Sequence, residues 1–286
     1  MLPFQRILVP IDYSDPCRAV MPHVAETARH FSAELTLVHA YGPGALASSD
    51  LALSNPDLPE EVHAIEQAAL EDFAKAAFPD RRVETAAVLG EPGTVITDLI
   101  HQRGADLIMM ATHGHGPLRR MLLGSVTAKV LHDVATPVWT GVGEAIAGHA
   151  AAIPYRSILC ALDHSAESEC VLRAGAALAA SYGARLALVH VVEMPPASWE
   201  IDVSSLHNSL IEAAEFQIRE LQGSLGIKAT HSVVEGAIAG AVCREAVRVH
   251  ADLIVAGRGH AQAAFSRIWS NLYGIVREAP CPVLSI

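Results

Sequence analysis

Ile7-Leu8-Val9-Pro10-Ile11-Asp12-Tyr13-Ser14 returns later in the chain as Ile158-Leu159-Cys160-Ala161-Leu162-Asp163-His164-Ser165. Each copy is an apolar run closed by polar residues, the mark of a buried strand. The offset of 151 from Asp12 to Asp163 persists through Leu35-Thr36-Leu37-Val38-His39 and Leu186-Ala187-Leu188-Val189-His190. Further on, Ala105-Asp106-Leu107-Ile108 matches Ala251-Asp252-Leu253-Ile254, and Thr136-Pro137-Val138 matches Cys281-Pro282-Val283. A period this long, with each unit carrying its own strands and helices, indicates two fused domains rather than a solenoid. Their expected bounds are 1–144 and 154–286, joined by a small-residue linker between Gly141 and Pro154.

Within the first copy, strands are predicted at Arg6–Ile11, Leu35–Ala40, Arg82–Leu89, Asp106–Ala111 and Pro137–Thr140. Helices are predicted at Arg18–Phe31, Glu60–Ala77, Thr94–Arg103 and Gly124–Asp133. In the first of these, Val20, Val24, Ala28 and Phe31 fall on one face. The second copy repeats the order, with a helix around Ser204–Leu221. Alternating strands and helices argue for parallel βαβ units with right-handed crossovers, an α/β fold.

The bulk properties agree. A length of 286 residues suits two domains that each bury a core, and 51% hydrophobic with 5% aromatic content suits aliphatic parallel sheets. A formal charge of -11 argues against coating nucleic acid or an acidic membrane, though not against one small anion held locally. Five scattered cysteines without CxxC spacing read as reduced thiols of a cytoplasmic protein. No signal-peptide pattern and no apolar run of membrane-spanning length is visible.

Chemistry concentrates after the fourth strand of the first copy. Ala111-Thr112-His113-Gly114 is followed by nine residues and then Gly124-Ser125-Val126-Thr127. The loop leaves the carboxyl end of a parallel strand, where ligands sit in open α/β sheets. Small residues admit backbone amides to phosphate oxygens, and Gly124-Ser125 opens a helix whose unpaired amides face an anion. Arg119 and Arg120 could add positive charge. Neither a Walker loop nor a complete Gly-x-Gly-x-x-Gly fingerprint occurs.

In these residues the chain resembles a tandem universal stress protein, over nearly its whole length. That family's loop is Gly-x-x-Gly, nine residues, then Gly-Ser/Thr, met here with Ala111 in place of the first glycine. The resemblance implies two Rossmann-like domains, each a five-stranded parallel sheet in the order 3-2-1-4-5 with helices on both faces, paired through their fifth strands as an internal pseudo-dimer. It implies an adenine-nucleotide site, for ATP with or without magnesium, at Pro10, Ile11, Asp12, Ala40, Met110, Ala111, His113, Gly114, Gly124, Ser125 and Val126. No catalytic residue and no resident metal is assigned. A homodimer of the tandem chain and an unidentified protein partner stay open.

The second copy departs from this pattern. Its loop reads Gly257-Arg258-Gly259-His260, and counting back from Pro282 puts Trp269 where Gly124 stands. Asp163, Val191, Gly257 and Gly259 are its nearest equivalents of the site, with the triphosphate end dismantled. Plainer readings stand beside these. Asp12 and Asp163 each precede a helix and could be turn or capping residues. His113 could be a solvated loop residue, and His39 and His190 satisfied structural histidines. Three functions follow in order: a nucleotide-dependent signalling or scaffolding protein of the stress response, a nucleotide-independent interaction module, and a slow ATPase.

Overall fold

The computed structural model describes residues 3–42, 58–114, 123–141, 153–193, 203–258 and 267–286; for residues 58–59, 203–207 and 267–270 it describes the backbone alone. The chain divides into two compact units, Pro3–Glu144 and Ala145–Ile286.

The first unit runs β1 (Arg6–Pro10), α1 (Asp15–Phe31), β2 (Glu34–Tyr41), α2 (Leu58–Ala77), β3 (Glu84–Leu89), α3 (Pro92–Arg103), β4 (Leu107–Ala111), α4 (Ser125–Asp133) and β5 (Val138–Gly141). Its strands are parallel and lie in the order β3-β2-β1-β4-β5, with helices on both faces. The order reverses at β1, which pairs with β2 on one side and β4 on the other. A crevice therefore opens beyond the carboxyl ends of β1 and β4, the switch point of such a sheet.

The second unit runs β6 (Ser157–Leu162), α5 (Glu167–Tyr182), β7 (Arg185–Val192), α6 (Val203–Leu225), β8 (Thr230–Glu235), α7 (Ile238–Arg248), β9 (Leu253–Ala256), α8 (Arg267–Glu278) and β10 (Val283–Ser285). Its order, β8-β7-β6-β9-β10, is the same arrangement, also parallel. In both units the central strand carries a fully buried leucine, Leu8 and Leu159.

Helices α1 and α3 start earlier than the sequence reading, and in both the cause is a cap. Helix α1 begins at Asp15, three residues before the predicted start at Arg18, because the Ser14 side chain accepts from the Cys17 amide and Pro16 sits in the first turn. Helix α3 begins at Pro92 rather than Thr94. The Glu91 carboxylate accepts from the Gly93 and Thr94 amides, bonds that hold it below the usual carboxylate range. Ser32, Gly104 and Gly183 end α1, α3 and α5 in left-handed conformations.

One repeated motif proves to be scaffold. The Asp106 carboxylate accepts from the Gln5 and Arg6 amides at 2.8 and 3.0 Å, and Asp252 accepts from Arg156 and Ser157 at 2.8 and 3.0 Å. In each copy of Ala-Asp-Leu-Ile the aspartate thus fixes where the central strand begins.

Candidate functional site

Three segments meet at the crevice of the first unit. The first is the turn after β1. Pro10 ends the strand, and Ile11 continues its ladder by donating to the Val38 carbonyl at 2.8 Å. Asp12 lies beyond the strand rather than at its end. Its Oδ1 accepts from the amide and hydroxyl of Ser14, at 3.0 and 2.6 Å. Asp12 is therefore not the cap of α1; it orients Ser14, which is. Tyr13 follows in the left-handed region with φ 61, a conformation bulky residues seldom adopt. Its ring makes a tilted contact with His39 and an edge-on one with Phe73, with centroids 4.7 and 5.6 Å apart. Burial, and then the nearby Glu66 carboxylate, pushes the Tyr13 hydroxyl up to about 12. Burial likewise pushes the Cys17 thiol up to about 11, so it is no nucleophile at neutral pH.

The second segment is the end of β4. Met110 is buried, and Ala111 is its last strand residue, paired with Gly141. Ala111 is not among the left-handed residues, so alanine serves here as well as glycine would. Thr112 donates its amide to Gly141 at 3.1 Å, and its hydroxyl lies 2.9 Å from His113 Nδ1. Gly114 lies against the aspartate. A Cβ added there would sit 2.0 Å from Asp12 Oδ2, closer than any side chain tolerates. Two residues a hundred positions apart thus face each other across the switch point.

The third segment is the start of α4. Gly124 donates to the Thr112 carbonyl at 3.0 Å and caps the helix without any side-chain acceptor. Thr127 Oγ1 donates to the Ala111 carbonyl at 3.1 Å and ties the first turn of α4 to the end of β4. Ser125 is exposed and Val126 half-buried at that helix start. First-turn amides without an intrahelical acceptor, at the positive end of the helix dipole, suit an anion. Ala40, half-buried near the end of β2, adjoins the first segment through its neighbour His39, whose Nδ1 lies 2.8 Å from the Ile11 carbonyl. All eleven residues anticipated for the first unit lie at or beside these strand ends. Arg119 and Arg120 lie outside the described residues. Lys129 is turned away, its ammonium 2.8 Å from Asp133.

The second unit keeps the turn and alters the rest. Asp163 Oδ1 accepts from the Ser165 amide and hydroxyl, at 2.9 and 2.6 Å, and from the Ser168 hydroxyl at 3.0 Å. Burial works to raise this carboxyl, but those hydrogen bonds outweigh it and hold it below the ordinary value. His164 takes the left-handed place of Tyr13 with φ 59, and its ring packs at a tilt against His190, centroids 3.8 Å apart. His190 lies 2.8 Å from the Leu162 carbonyl, as His39 does from Ile11. Val191 is buried, whereas Ala40 is half-exposed.

After β9, Gly257 lies against Glu167, whose Oε2 would be 3.0 Å from an added Cβ. Buried Arg258 stands where the first unit has Thr112, donating Nη2 to the Ser285 carbonyl at 3.2 Å. Burial draws its guanidinium down to about 10, against the opposing pull of Glu167. Gly259 and His260 lie outside the described residues. The expectation that Trp269 opens the last helix is corrected: α8 already includes Arg267, so Trp269 is at least its third residue. Among the described residues the second unit therefore lacks the glycine-capped helix start of the first.

Tyr13 and Thr127 belong to the site but were not singled out in the sequence. The recurrence of an aromatic ring between Asp and Ser, Tyr13 and His164, was the available signal for the first. Thr127 carries none, because its role depends on how α4 meets β4.

A doubly wound parallel domain, present twice, with an anion-suited helix start in the first copy, defines a class of tandem α/β protein. The sequence pattern of the Universal stress protein family matches residues 3–140 and again 154–286, and the chain belongs to that family. It is 30% identical over 140 residues to universal stress protein MJ0531 of Methanocaldococcus jannaschii, covering 47% of this chain and 80% of that one. It is 27% identical over 212 residues to a universal stress protein of Mycolicibacterium smegmatis, covering 68% of each. The crystal structure of a universal stress protein from Archaeoglobus fulgidus matches with a TM-score of 0.67 at 19% identity, over 100% of this chain and 97% of that one. That likeness bears on the fold. Among the described residues, no helix is long and apolar enough to cross a membrane, and no group of three or more His, Cys, Asp or Glu could hold a metal ion.

Proposed function

We propose that the first unit binds ATP or another adenine nucleotide, and that the chain serves a stress response by ligand-dependent signalling or scaffolding. The observation that carries this is the meeting of Asp12, Gly114 and the glycine-capped start of α4 at the switch point. The nucleoside would lie by Pro10, Ile11, Asp12, Ala40 and Met110. The phosphates would lie by Ala111, His113, Gly114, Gly124, Ser125 and Val126. Asp12 offers a hard oxygen ligand, and a magnesium ion would need the phosphate oxygens to complete its shell. The domain bounds 1–144 and 154–286 are part of this reading, with the second domain contributing weak nucleotide binding or none.

Equilibrium binding of ATP to the full chain and to Gly114→Asp tests the proposal. The wild type should bind and the variant should not, since the new carboxylate competes with Asp12 for space and adds like charge. Equal affinities would sink the assignment. A second reading, a nucleotide-independent interaction module, draws on the altered second unit, where buried Arg258 stands in the place of Thr112 and Gly257 lies against Glu167. Mass spectrometry of the freshly purified, denatured chain separates the two by the presence or absence of nucleotide.

A further inference from the structure

We propose that His39 is the positioning residue of the first unit's ligand turn, holding Ile11 and Asp12 in place from β2; this rests on the nucleotide reading above. The turn needs such a hold. A parallel ladder would carry the Ile11 carbonyl on to an amide further along β2. The chain instead swings away through a left-handed tyrosine, a strained conformation that persists only where its surroundings enforce it. The enforcing contacts converge on one ring. His39 Nδ1 lies 2.8 Å from the Ile11 carbonyl, and because a carbonyl only accepts, Nδ1 carries the proton. The same ring packs against Tyr13 in a tilted contact, with centroids 4.7 Å apart. Its far nitrogen, Nε2, lies 3.5 Å from Glu66 Oε2 on α2. Phe73, about two turns further along α2, closes on Tyr13 from another side.

One imidazole therefore grips the residues before and after Asp12, while α2 steadies the imidazole. The second unit supplies a control inside the same chain. His190 makes the equivalent contact to Leu162 at the same 2.8 Å, in the unit proposed to bind nucleotide weakly or not at all.

The test uses the full chain and three variants: His39→Leu, His39→Asn and His190→Leu. Asparagine can present an amide donor near the position of Nδ1; leucine cannot. Two quantities are read: hydrogen exchange at the Ser14 and Cys17 amides, which Asp12 and Ser14 hold, and ATP affinity. His39→Leu should accelerate that exchange and weaken ATP binding, each about five- to tenfold, as befits one lost hydrogen bond. His39→Asn should recover most of both. His190→Leu should accelerate exchange only at the Ser165 and Glu167 amides and leave ATP affinity within twofold. Unchanged exchange at Ser14 and Cys17 in His39→Leu would overturn the proposal. So would a loss of affinity in His190→Leu as large as that in His39→Leu, since general destabilisation would then explain both. If the wild type binds no ATP, the nucleotide reading falls, while the exchange measurements still decide the role of His39.

Discussion

The turn after β1 and the turn after β6 share one backbone and differ in what surrounds it. Both carry an aspartate accepting from the serine two residues on, and both place an aromatic ring in the left-handed region over a β2-type histidine. Beyond the turn the units part. The first has Gly114 against Asp12 and a helix start capped by Gly124; the second has a buried arginine and a helix that begins earlier. The turn is thus common to both units, and the proposed nucleotide site rests on the loop after β4, where they differ. An aspartate at the switch point says little about binding until its neighbour across the crevice is known.

That comparison can be broken at four points, in decreasing order of effect. Leu8→Ala and Leu159→Ala each empty a fully buried position of a central strand and should cost about 2–5 kcal/mol in denaturant unfolding. The two costs should be similar, and a wide gap would show that the scaffolds are not equivalent. Next, titration calorimetry with ATP should give one site per chain, and Gly114→Asp should remove it with a loss of about 100-fold or more, roughly 2.7 kcal/mol. Two equal sites would erase the proposed asymmetry.

The third point is pH. His164 is drawn down from 6.5 to about 4, by burial first and then by the His190 ring, with Asp163 opposing; His190 is lowered mainly by burial. Between those two pH values the unfolded chain binds protons that folded His164 refuses. Stability of the second unit must therefore fall as pH drops from about 6.5 toward 4. Hydrogen exchange in β6 and α5 should accelerate over that range, and His164→Tyr, which copies the first unit, should flatten the response. The smallest effect is at the helix caps. Ser14→Ala should cost about 1 kcal/mol. Ala166→Ser should change thermal stability by less than about 0.5 kcal/mol, because Ala166 has helical rather than extended backbone and cannot aim a hydroxyl at the first-turn amides.

The alternation of strands and helices was legible because buried strands and amphipathic helices leave different periods, and because the duplication wrote each element twice. Helix starts were less legible. Periodicity marks where a helix buries a face, whereas α1 and α3 begin earlier, at Asp15 and Pro92, set by the N-caps Ser14 and Glu91. The loop glycines were visible as a spacing, but the reason for Gly114 was not, since its neighbour Asp12 comes from a strand a hundred residues away. Tyr13 was hidden for a different reason. Nothing in a tyrosine announces a left-handed backbone; the packing of His39 and Phe73 imposes it. The end of the second loop was misplaced by counting, because aligned residue numbers carry no information about where α8 starts.

The aspartates of the Ala-Asp-Leu-Ile motif have a further consequence, for the order in which each unit is completed. The amides that begin β1 find their acceptor in Asp106, 100 and 101 residues later, and those that begin β6 wait 95 and 96 residues for Asp252. A ribosome that has delivered only the first βαβ pair of either unit has made a central strand with its near end still untied. Each unit closes on itself when β4 or β9 arrives, so the chain is assembled as two latches, each fastened by its own late aspartate.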